Sequence, residues 1–182
     1  IDQFISSLDR YYYVMIDPCL PEYGLAVIPQ CYIFDNWPKY SGLEVLDYEM
    51  GKNEKIFVLG EGIGKRGGNF STTVGLFEKY GESRVLDTPI SEGGFMGAGV
   101  GAALAGKKPV IELQFFDFVY PALDQITTEA AKYYWKAGKA VPLVVRGPTG
   151  AGTRSGPFHS ISPESLLAHH PGCLLYTSDA AD

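Results

Sequence analysis

A chain of 182 residues with 46% hydrophobic residues can bury one substantial core, so we expect one domain rather than two. Its formal net charge of −6 argues against a nucleic-acid-binding surface, because phosphate binding depends on clustered Lys and Arg. The three cysteines include no CxxC pair, which argues against a disulfide framework or a zinc site and favours a reducing, intracellular compartment. The longest uncharged stretch, residues 93–106, is too short and too rich in glycine to cross a bilayer, so no membrane segment is predicted.

Residues 1–42 show no interpretable pattern. They are rich in Tyr and Pro and have neither a helical nor an alternating period, so we treat them as an unassigned extension. From Leu43 onward the pattern is regular: a short helix in GLEVLDYEM, an apolar strand IFVLG at 56–60, then a glycine-rich loop EGIGKRGGNF. A helix in TTVGLFEKYG is expected to end at Gly81.

Three more short apolar strands follow, and helical stretches separate them. The strands are predicted at 84–87, 109–113 and 142–146, and the helices at about 92–106 and 121–138. This alternation predicts an α/β fold, a doubly wound and mainly parallel sheet with helices on both faces. We place this domain at residues 43–175 and leave residues 176–182 as an unassigned tail.

Four side chains that could carry chemistry come just after predicted strands. In a doubly wound sheet, ligands bind beyond the carboxyl ends of the strands. The four are Glu61, Glu92, Phe118 and His159, and their convergence at one edge predicts a functional site there. His159 ends a loop rich in Gly, Pro and Ser, where a titratable ring could deliver an acid or base; a solvated loop histidine with no role is the alternative.

Glu92 also has an ordinary explanation at the start of a helix. Ser91 and Glu92 could cap free backbone N–H groups and complement the helix dipole. The helix that follows carries Gly93, Gly97 and Gly101 at i, i+4 and i+8, although each costs roughly 1 kcal/mol relative to alanine. These glycines indicate a ridge that lets another backbone approach closely, at a subunit or sheet contact.

A non-catalytic α/β module that binds a nucleotide, or merely scaffolds a complex, is the alternative function. GAGVGA at 97–102 satisfies G-x-G-x-x-G/A, and Asp117 lies at about the expected distance downstream. That motif should form the turn directly after a strand, however, whereas TPISEGGFM intervenes here. GEGIGKRGG also fails as a P-loop, because only three residues separate Gly60 from GK and Arg66 replaces the required hydroxyl.

Two further features receive no catalytic role. His169 and His170 have no second ligand pair nearby, so no metal site is predicted. The aromatic run KYYWKAG at 132–138 is interpreted as core and interface on the second long helix.

From about Leu43 to Gly172 the chain resembles the beta subunit of the decarboxylating component of 2-oxo acid dehydrogenase complexes. The resemblance rests on FVLGEGIGKRGGNF, GLFEKYGESRVLDTPISEGGFMGAGVGAALAG, PVIELQFFDFVYPALDQITTEAAKYYWKAG, VPLVVRGPTGAG and GPFHS, in the family's order. The family includes pyruvate, branched-chain and acetoin dehydrogenases. It implies a thiamine diphosphate enzyme in which this part is the pyrimidine-binding domain.

The resemblance implies a role for each site residue. Glu92 of ISE matches the acid that hydrogen-bonds the aminopyrimidine ring nitrogen and activates the cofactor, and Phe118 matches the aromatic that stacks on that ring. Gln114 matches a residue beside the ring, and Glu61 matches an acid proposed to link two active sites by proton transfer. His159 of FHS matches the histidine thought to assist acyl transfer to a lipoyl group.

The resemblance also implies partners. The beta subunit works with an alpha subunit or a fused alpha part, a second beta chain and a lipoyl acyltransferase, on a 2-oxo acid, in the cytoplasm or the mitochondrial matrix. The GDG…N motif for the diphosphate and magnesium is absent, and the family places that motif on the alpha part. Because a carboxyl-terminal domain is also absent after Gly172, we expect a truncated subunit that is catalytically incomplete alone.

Overall fold

The computed structural model of the chain describes residues 11–16, 42–150 and 154–177. Six strands are formed, β1 Tyr11–Ile16, β2 Ile56–Gly60, β3 Val85–Asp87, β4 Lys108–Glu112, β5 Leu143–Pro148 and β6 Cys173–Thr177. The α-helices are α1 Gly42–Lys52, α2 Leu76–Tyr80, α3 Glu92–Leu104, α4 Ala131–Ala137 and α5 Glu164–Ala168. None of the helices in these ranges is long and apolar enough to span a membrane.

The strands form one sheet in the order β3-β2-β4-β5-β1-β6. β3, β2, β4 and β5 are parallel, with Val58 of β2 paired to Val85 of β3 and to Val110 of β4. β1 lies antiparallel to both β5 and β6. The prediction of an α/β fold with a mainly parallel sheet is therefore confirmed, and the carboxyl ends of the four parallel strands meet at one edge.

β1 is a strand that the sequence interpretation missed. It falls in the range 1–42, for which no fold was predicted, and it pairs Tyr11 with Pro148 and Ile16 with Leu143. Its sequence YYYVMI is rich in aromatic and β-branched residues, which favour strands. Alternation of apolar and polar residues marks strands that have one face in water. YYYVMI lacks this alternation, so the pattern did not identify it as a strand.

Helices cover both faces of the sheet, as predicted. Along β2, Val58 belongs to the cluster with Leu46 of α1 and Leu76 of α2, whereas Leu59 belongs to the cluster with Met96 of α3. Successive residues of a strand point to opposite faces, so these two clusters lie on opposite sides of the sheet.

The glycines of α3 let neighbouring segments approach the helix. A Cβ at Gly93 would lie 2.9 Å from the Pro121 carbonyl oxygen, and one at Gly99 would lie 2.5 Å from the Ile111 side chain. Of the predicted glycine ridge, Gly93 therefore contacts another segment of the same chain. A Cβ at Gly101, by contrast, would meet no described atom within 4 Å.

The predicted helix at 121–138 is divided. The structure has a 3₁₀ helix at Phe116–Ala122 that contains Pro121, a π-helix at Gln125–Ala130, and only then α4. The 3₁₀ segment turns the chain directly after β4, at the edge where the parallel strands end.

A buried ion pair joins β4, β5 and the loop after β2. Arg146 donates from Nε to Oε2 of Glu112 at 2.8 Å, and its Nη2 lies 2.6 Å from the same oxygen, with both side chains almost fully buried. Arg146 Nη2 also donates to the Thr72 carbonyl at 3.0 Å, and the Thr72 hydroxyl donates to Glu112 Oε1. The pair therefore fixes the far end of the loop that starts at Glu61.

Removing one partner of this pair should be much more costly than breaking a surface pair. We expect Arg146→Met to lower the free energy of unfolding by about 3 to 5 kcal/mol, because the Glu112 carboxylate would be left buried and unpaired. Arg146→Met combined with Glu112→Leu should recover much of that loss. Urea unfolding followed by circular dichroism measures both.

The matched control is Lys79→Met, which breaks the exposed pair between Lys79 Nζ and Asp47 Oδ1 at 2.7 Å. It should change the unfolding midpoint little. If Arg146→Met and Lys79→Met lowered the free energy of unfolding equally, the buried pair would be no more important for stability than the exposed one.

Candidate active site

The loops after β2 and β4 meet through a hydrogen bond between side chains. Glu61 directly follows β2, and its Oε1 accepts from Gln114 Nε2 at 2.7 Å, two residues beyond β4. The preceding Gly60 allows this meeting, because a Cβ there would clash with the Glu112 carbonyl oxygen. Two predicted site residues are therefore brought together at the carboxyl edge of the parallel strands.

Negative charge gathers around Glu61. Burial raises the pKa of the Glu61 carboxyl, and the nearby charges of Glu92 and Asp87 raise this pKa further. The Arg66 guanidinium and the bond from Gln114 act in the opposite direction. The Glu92 carboxylate is therefore near enough for its charge to affect the Glu61 carboxyl.

Asp87 is a site residue that the sequence interpretation missed. It ends β3, and its two carboxylate oxygens accept from the backbone N–H groups of Gly62 at 2.7 Å and Gly64 at 3.2 Å. Gly62 has φ of 70°, a conformation that favours glycine, so the loop turns tightly over this carboxylate. The sequence could have indicated Asp87, because it ends the predicted strand RVLD, much as Glu61 follows the predicted strand IFVLG.

Glu92 is the first residue of α3, but the capping explanation lacks support. The N-cap residue Ser91 makes no side-chain capping hydrogen bond. Among the described residues, the half-buried Glu92 carboxylate also has no hydrogen-bond partner. The first turn of a helix is nevertheless a favourable place for an acidic side chain, because the helix dipole is positive there.

Phe118 and His159 lie in one aromatic cluster, made of Phe70, Phe115, Phe118 and His159. The His159 ring packs edge to face against Phe115 at 4.7 Å and against Phe118 at 5.4 Å, measured between ring centroids. Phe115 also contacts Phe70 at 5.8 Å and Phe118 at 6.0 Å in the same manner. These ring contacts bring the loop after β5 to the segment after β4. The predicted residues Phe118 and His159 therefore lie next to each other.

A cleft of about 400 Å³ opens beside the bond from Gln114 to Glu61. It is lined by Arg66, Gly68, Asn69, Phe70, Gln114 and Phe115. Phe70 and Ser71 have φ of 59° and 62°, in the left-handed region that side chains other than glycine rarely adopt. Such strain persists only where the surroundings impose it, and it is concentrated at functional sites.

The geometry does not suit a dinucleotide at the glycine motif. Residues 97–102 lie wholly inside α3, more than a turn after its first residue, so they form no turn between a strand and a helix. The Asp117 carboxyl, which would serve a ribose, is buried and accepts from the backbone N–H of Ile161 at 3.1 Å. In the described part of the chain, no three His, Cys, Asp or Glu side chains are grouped to hold a metal ion.

The aromatic run on α4 was interpreted as core and interface. Trp135 is 92% exposed, so it contributes nothing to the core of this chain. Tyr133 packs against the main core cluster, as that interpretation required.

Comparison with known proteins gives a consistent result. Residues 36–182 match the family model described as transketolase, pyrimidine binding domain. The chain is 45% identical over 126 residues to the 2-oxoisovalerate dehydrogenase subunit beta of Bacillus subtilis (strain 168), covering 68% of this chain and 38% of that one. It is 49% identical over 139 residues to the mitochondrial pyruvate dehydrogenase E1 component subunit beta-1 of Arabidopsis thaliana, covering 75% and 38%. Against the mitochondrial pyruvate dehydrogenase E1 component subunit beta of Homo sapiens the identity is 43% over 129 residues, covering 70% and 36%.

The chain thus spans little more than a third of the length of these curated relatives. The family match, by contrast, includes every parallel strand and every residue of the site described above. The protein therefore belongs to the family of transketolase pyrimidine-binding domains.

Proposed function

We propose that this chain is part of the beta subunit of a thiamine diphosphate-dependent 2-oxo acid dehydrogenase. In that role it binds and activates the cofactor's aminopyrimidine for oxidative decarboxylation of a 2-oxo acid and for acyl transfer to a lipoyl group. The observation that carries the proposal is the placement of the four predicted site residues after the parallel strands in two groups: the charge of Glu92 acts on Glu61, and the Phe118 ring packs against His159. The names of the relatives support the same reaction class.

The residues present fit an aminopyrimidine. Glu92 is a half-buried carboxylate without a hydrogen-bond partner among the described residues, so it is available to a ring N–H donor. Phe118 supplies an aromatic surface for stacking, which fixes a ring at little entropic cost. The Gln114 amide, which donates to Glu61, offers a further polar group on the segment that carries Phe118.

When bound, thiamine diphosphate supplies an electron sink for loss of carbon dioxide. The residues of this chain position the cofactor and control the transfer of protons. Glu92 holds the aminopyrimidine in the tautomer that can exchange a proton. Glu61, with its raised pKa, retains a proton more readily than an exposed glutamate, so it is the group suited to hold the transferable proton.

His159 acts in the second half of the reaction. Its ring lies on the loop after β5, against Phe118, where it can donate or accept a proton as the acyl unit leaves for the lipoyl group. The aromatic neighbours exclude water from one side of the imidazole.

The remaining parts of the enzyme are assigned to partners. We assign the diphosphate and magnesium to an alpha subunit or fused alpha part, and we expect a second beta chain and a lipoyl acyltransferase. Support comes from the relatives, which are named as beta subunits. The enzyme would work in a bacterial cytoplasm or a mitochondrial matrix.

Loss of the Glu92 carboxylate should stop turnover without preventing assembly. In a full-length beta subunit assembled with its alpha partner, we expect Glu92→Gln to lower kcat by about a hundredfold or more, because the ring nitrogen loses its ionised acceptor. Steady-state kinetics and size-exclusion chromatography measure the two properties.

Asp124→Asn is the matched control, since Asp124 is an exposed acid on the neighbouring segment. It should leave kcat unchanged. Near-normal turnover of Glu92→Gln would refute the role proposed for this acid.

The charge of Glu92 should be measurable at Glu61. In the 182-residue chain, Glu61 should titrate above the ordinary glutamate pKa, so it stays protonated to higher pH. Glu92→Gln removes a like charge and should lower the Glu61 pKa, although burial, the largest cause, should keep it raised. Carbon-detected NMR of the labelled carboxyl follows this titration.

Glu82→Gln provides the comparison, because Glu82 is exposed and precedes β3 at the opposite edge of the sheet. It should not move the Glu61 titration. A Glu61 midpoint that does not respond to Glu92→Gln would mean that the two acids do not share a site.

The chain alone should bind thiamine diphosphate weakly. The described residues offer a place for the pyrimidine but no grouped acids or histidines for a metal, and the diphosphate motif is absent. Isothermal titration calorimetry with magnesium should detect no binding in the micromolar range or tighter until the alpha partner is added. Micromolar binding by the chain alone would contradict the division of the cofactor site between two partners.

A further inference from the structure

Asp117 joins two segments that are distant in the sequence. It lies in the 3₁₀ helix after β4, directly before Phe118, and its Oδ1 accepts from the backbone N–H of Ile161 at 3.1 Å. Ile161 comes two residues after His159, on the loop after β5. One carboxyl therefore connects the segment that carries Phe118 with the loop that carries His159.

The Ile161 residue is held from both sides. Its carbonyl oxygen accepts from the Thr149 hydroxyl at 2.7 Å and from the Gly150 N–H at 2.9 Å, both just after β5. The N–H is held by Asp117 and the C=O by the end of the strand, so the backbone at Ile161 has little freedom to rotate. This constraint fixes the direction in which the chain leaves toward His159.

The burial of Asp117 indicates that this contact has a purpose beyond stability. The residue is only 8% exposed, and its Oδ2 is buried without a hydrogen-bond partner among the described residues. A buried polar atom without a partner is costly, and each such atom in a folded protein calls for an explanation. An apolar residue would fill this position more cheaply, but it could not accept from Ile161.

The contact also explains the place of His159 in the aromatic cluster. The loop has a tight local turn, in which the His159 N–H donates to the Gly156 carbonyl at 3.2 Å. That turn shapes the loop but does not attach it to the sheet edge. On the side of Phe118, the bond from the Ile161 N–H to Asp117 attaches the loop.

We propose that Asp117 is the positioning residue for His159, and that its bond to the Ile161 N–H holds the imidazole against Phe115 and Phe118. The catalytic importance of that position rests on the proposed function, in which His159 serves acyl transfer. The claim that Asp117 holds the His159 ring in place does not rest on the proposed function. The experiment tests this claim and the catalytic role of His159 separately.

The first measurement uses the labelled 182-residue chain. We expect Asp117→Ala to raise hydrogen exchange at the Ile161 amide by about tenfold or more, because the N–H loses its acceptor. The His159 ring signals should shift toward those of an unstructured histidine as the ring leaves Phe115 and Phe118. Asp117→Asn keeps a carbonyl oxygen in place and should preserve both readings.

Asp124→Ala is the matched control, an exposed acid on the same stretch of chain, and it should alter neither reading. Unchanged His159 signals in folded Asp117→Ala would overturn the proposal, as would an Ile161 amide that exchanges freely in the wild type. If Asp117→Ala does not fold, Ile161→Pro removes the donor instead and should give the same His159 shift; an unshifted signal there overturns the proposal equally.

The second measurement uses the full-length beta subunit assembled with its alpha partner and a lipoyl domain. Asp117→Ala should lower acyl transfer about tenfold at unchanged thiamine diphosphate affinity, with recovery in Asp117→Asn. If the NMR readings move as expected while His159→Asn and Asp117→Ala both leave acyl transfer unchanged, the role of His159 in the proposed function fails and its positioning by Asp117 stands.

Discussion

The buried pair of Glu112 and Arg146 is the interaction on which the site depends. Glu112 is the last residue of β4, and Arg146 lies on β5, so their side chains link two parallel strands at the edge where those strands end. Through Thr72 the same pair holds the loop after β2. Replacing a buried ion pair by apolar residues often leaves stability unchanged, so this pair is better explained by the geometry that it imposes. With that loop fixed, Phe70 can occupy a strained backbone conformation beside Phe115.

The same edge of the sheet also gathers acidic side chains. At the edge where the parallel strands end, the charges of Glu92 and Asp87 both act on the Glu61 carboxyl and raise its pKa. Two of the three differ in how they are stabilised. Asp87 accepts two backbone N–H bonds, whereas Glu61 is partly desolvated and has one bond from Gln114. Pairs of acids in different environments are the usual basis for dividing proton donation and acceptance between two groups.

The parallel strands and α3 could be predicted from the sequence, because short apolar runs and helical stretches alternate with turn residues between them. Once strand order is assumed, the strand ends point to Glu61, Glu92 and His159. Asp87 also ends a strand, but its bonds to Gly62 and Gly64 are not visible in the sequence, because these residues lie 25 and 23 residues away. Asp117 could not be assigned from a strand end, because its partner lies 44 residues away and follows no local period. β1 was missed for a similar reason, since only its pairing with β5 distinguishes YYYVMI from an irregular apolar run. The division of the helix after β4 depends on Pro121 and on packing against Gly93, which propensity alone does not reveal.

The place of β1 in the sheet has a consequence for synthesis on the ribosome. β1 is made first, but it pairs with β5, which begins 127 residues after β1 ends, and β6 joins the sheet only through β1. β1 must therefore wait for its partner strand while β2, β3 and β4 are made. Contacts so distant in sequence form slowly, and a waiting strand is exposed to wrong pairing. In a nascent chain, this stretch is where a chaperone would have most to protect.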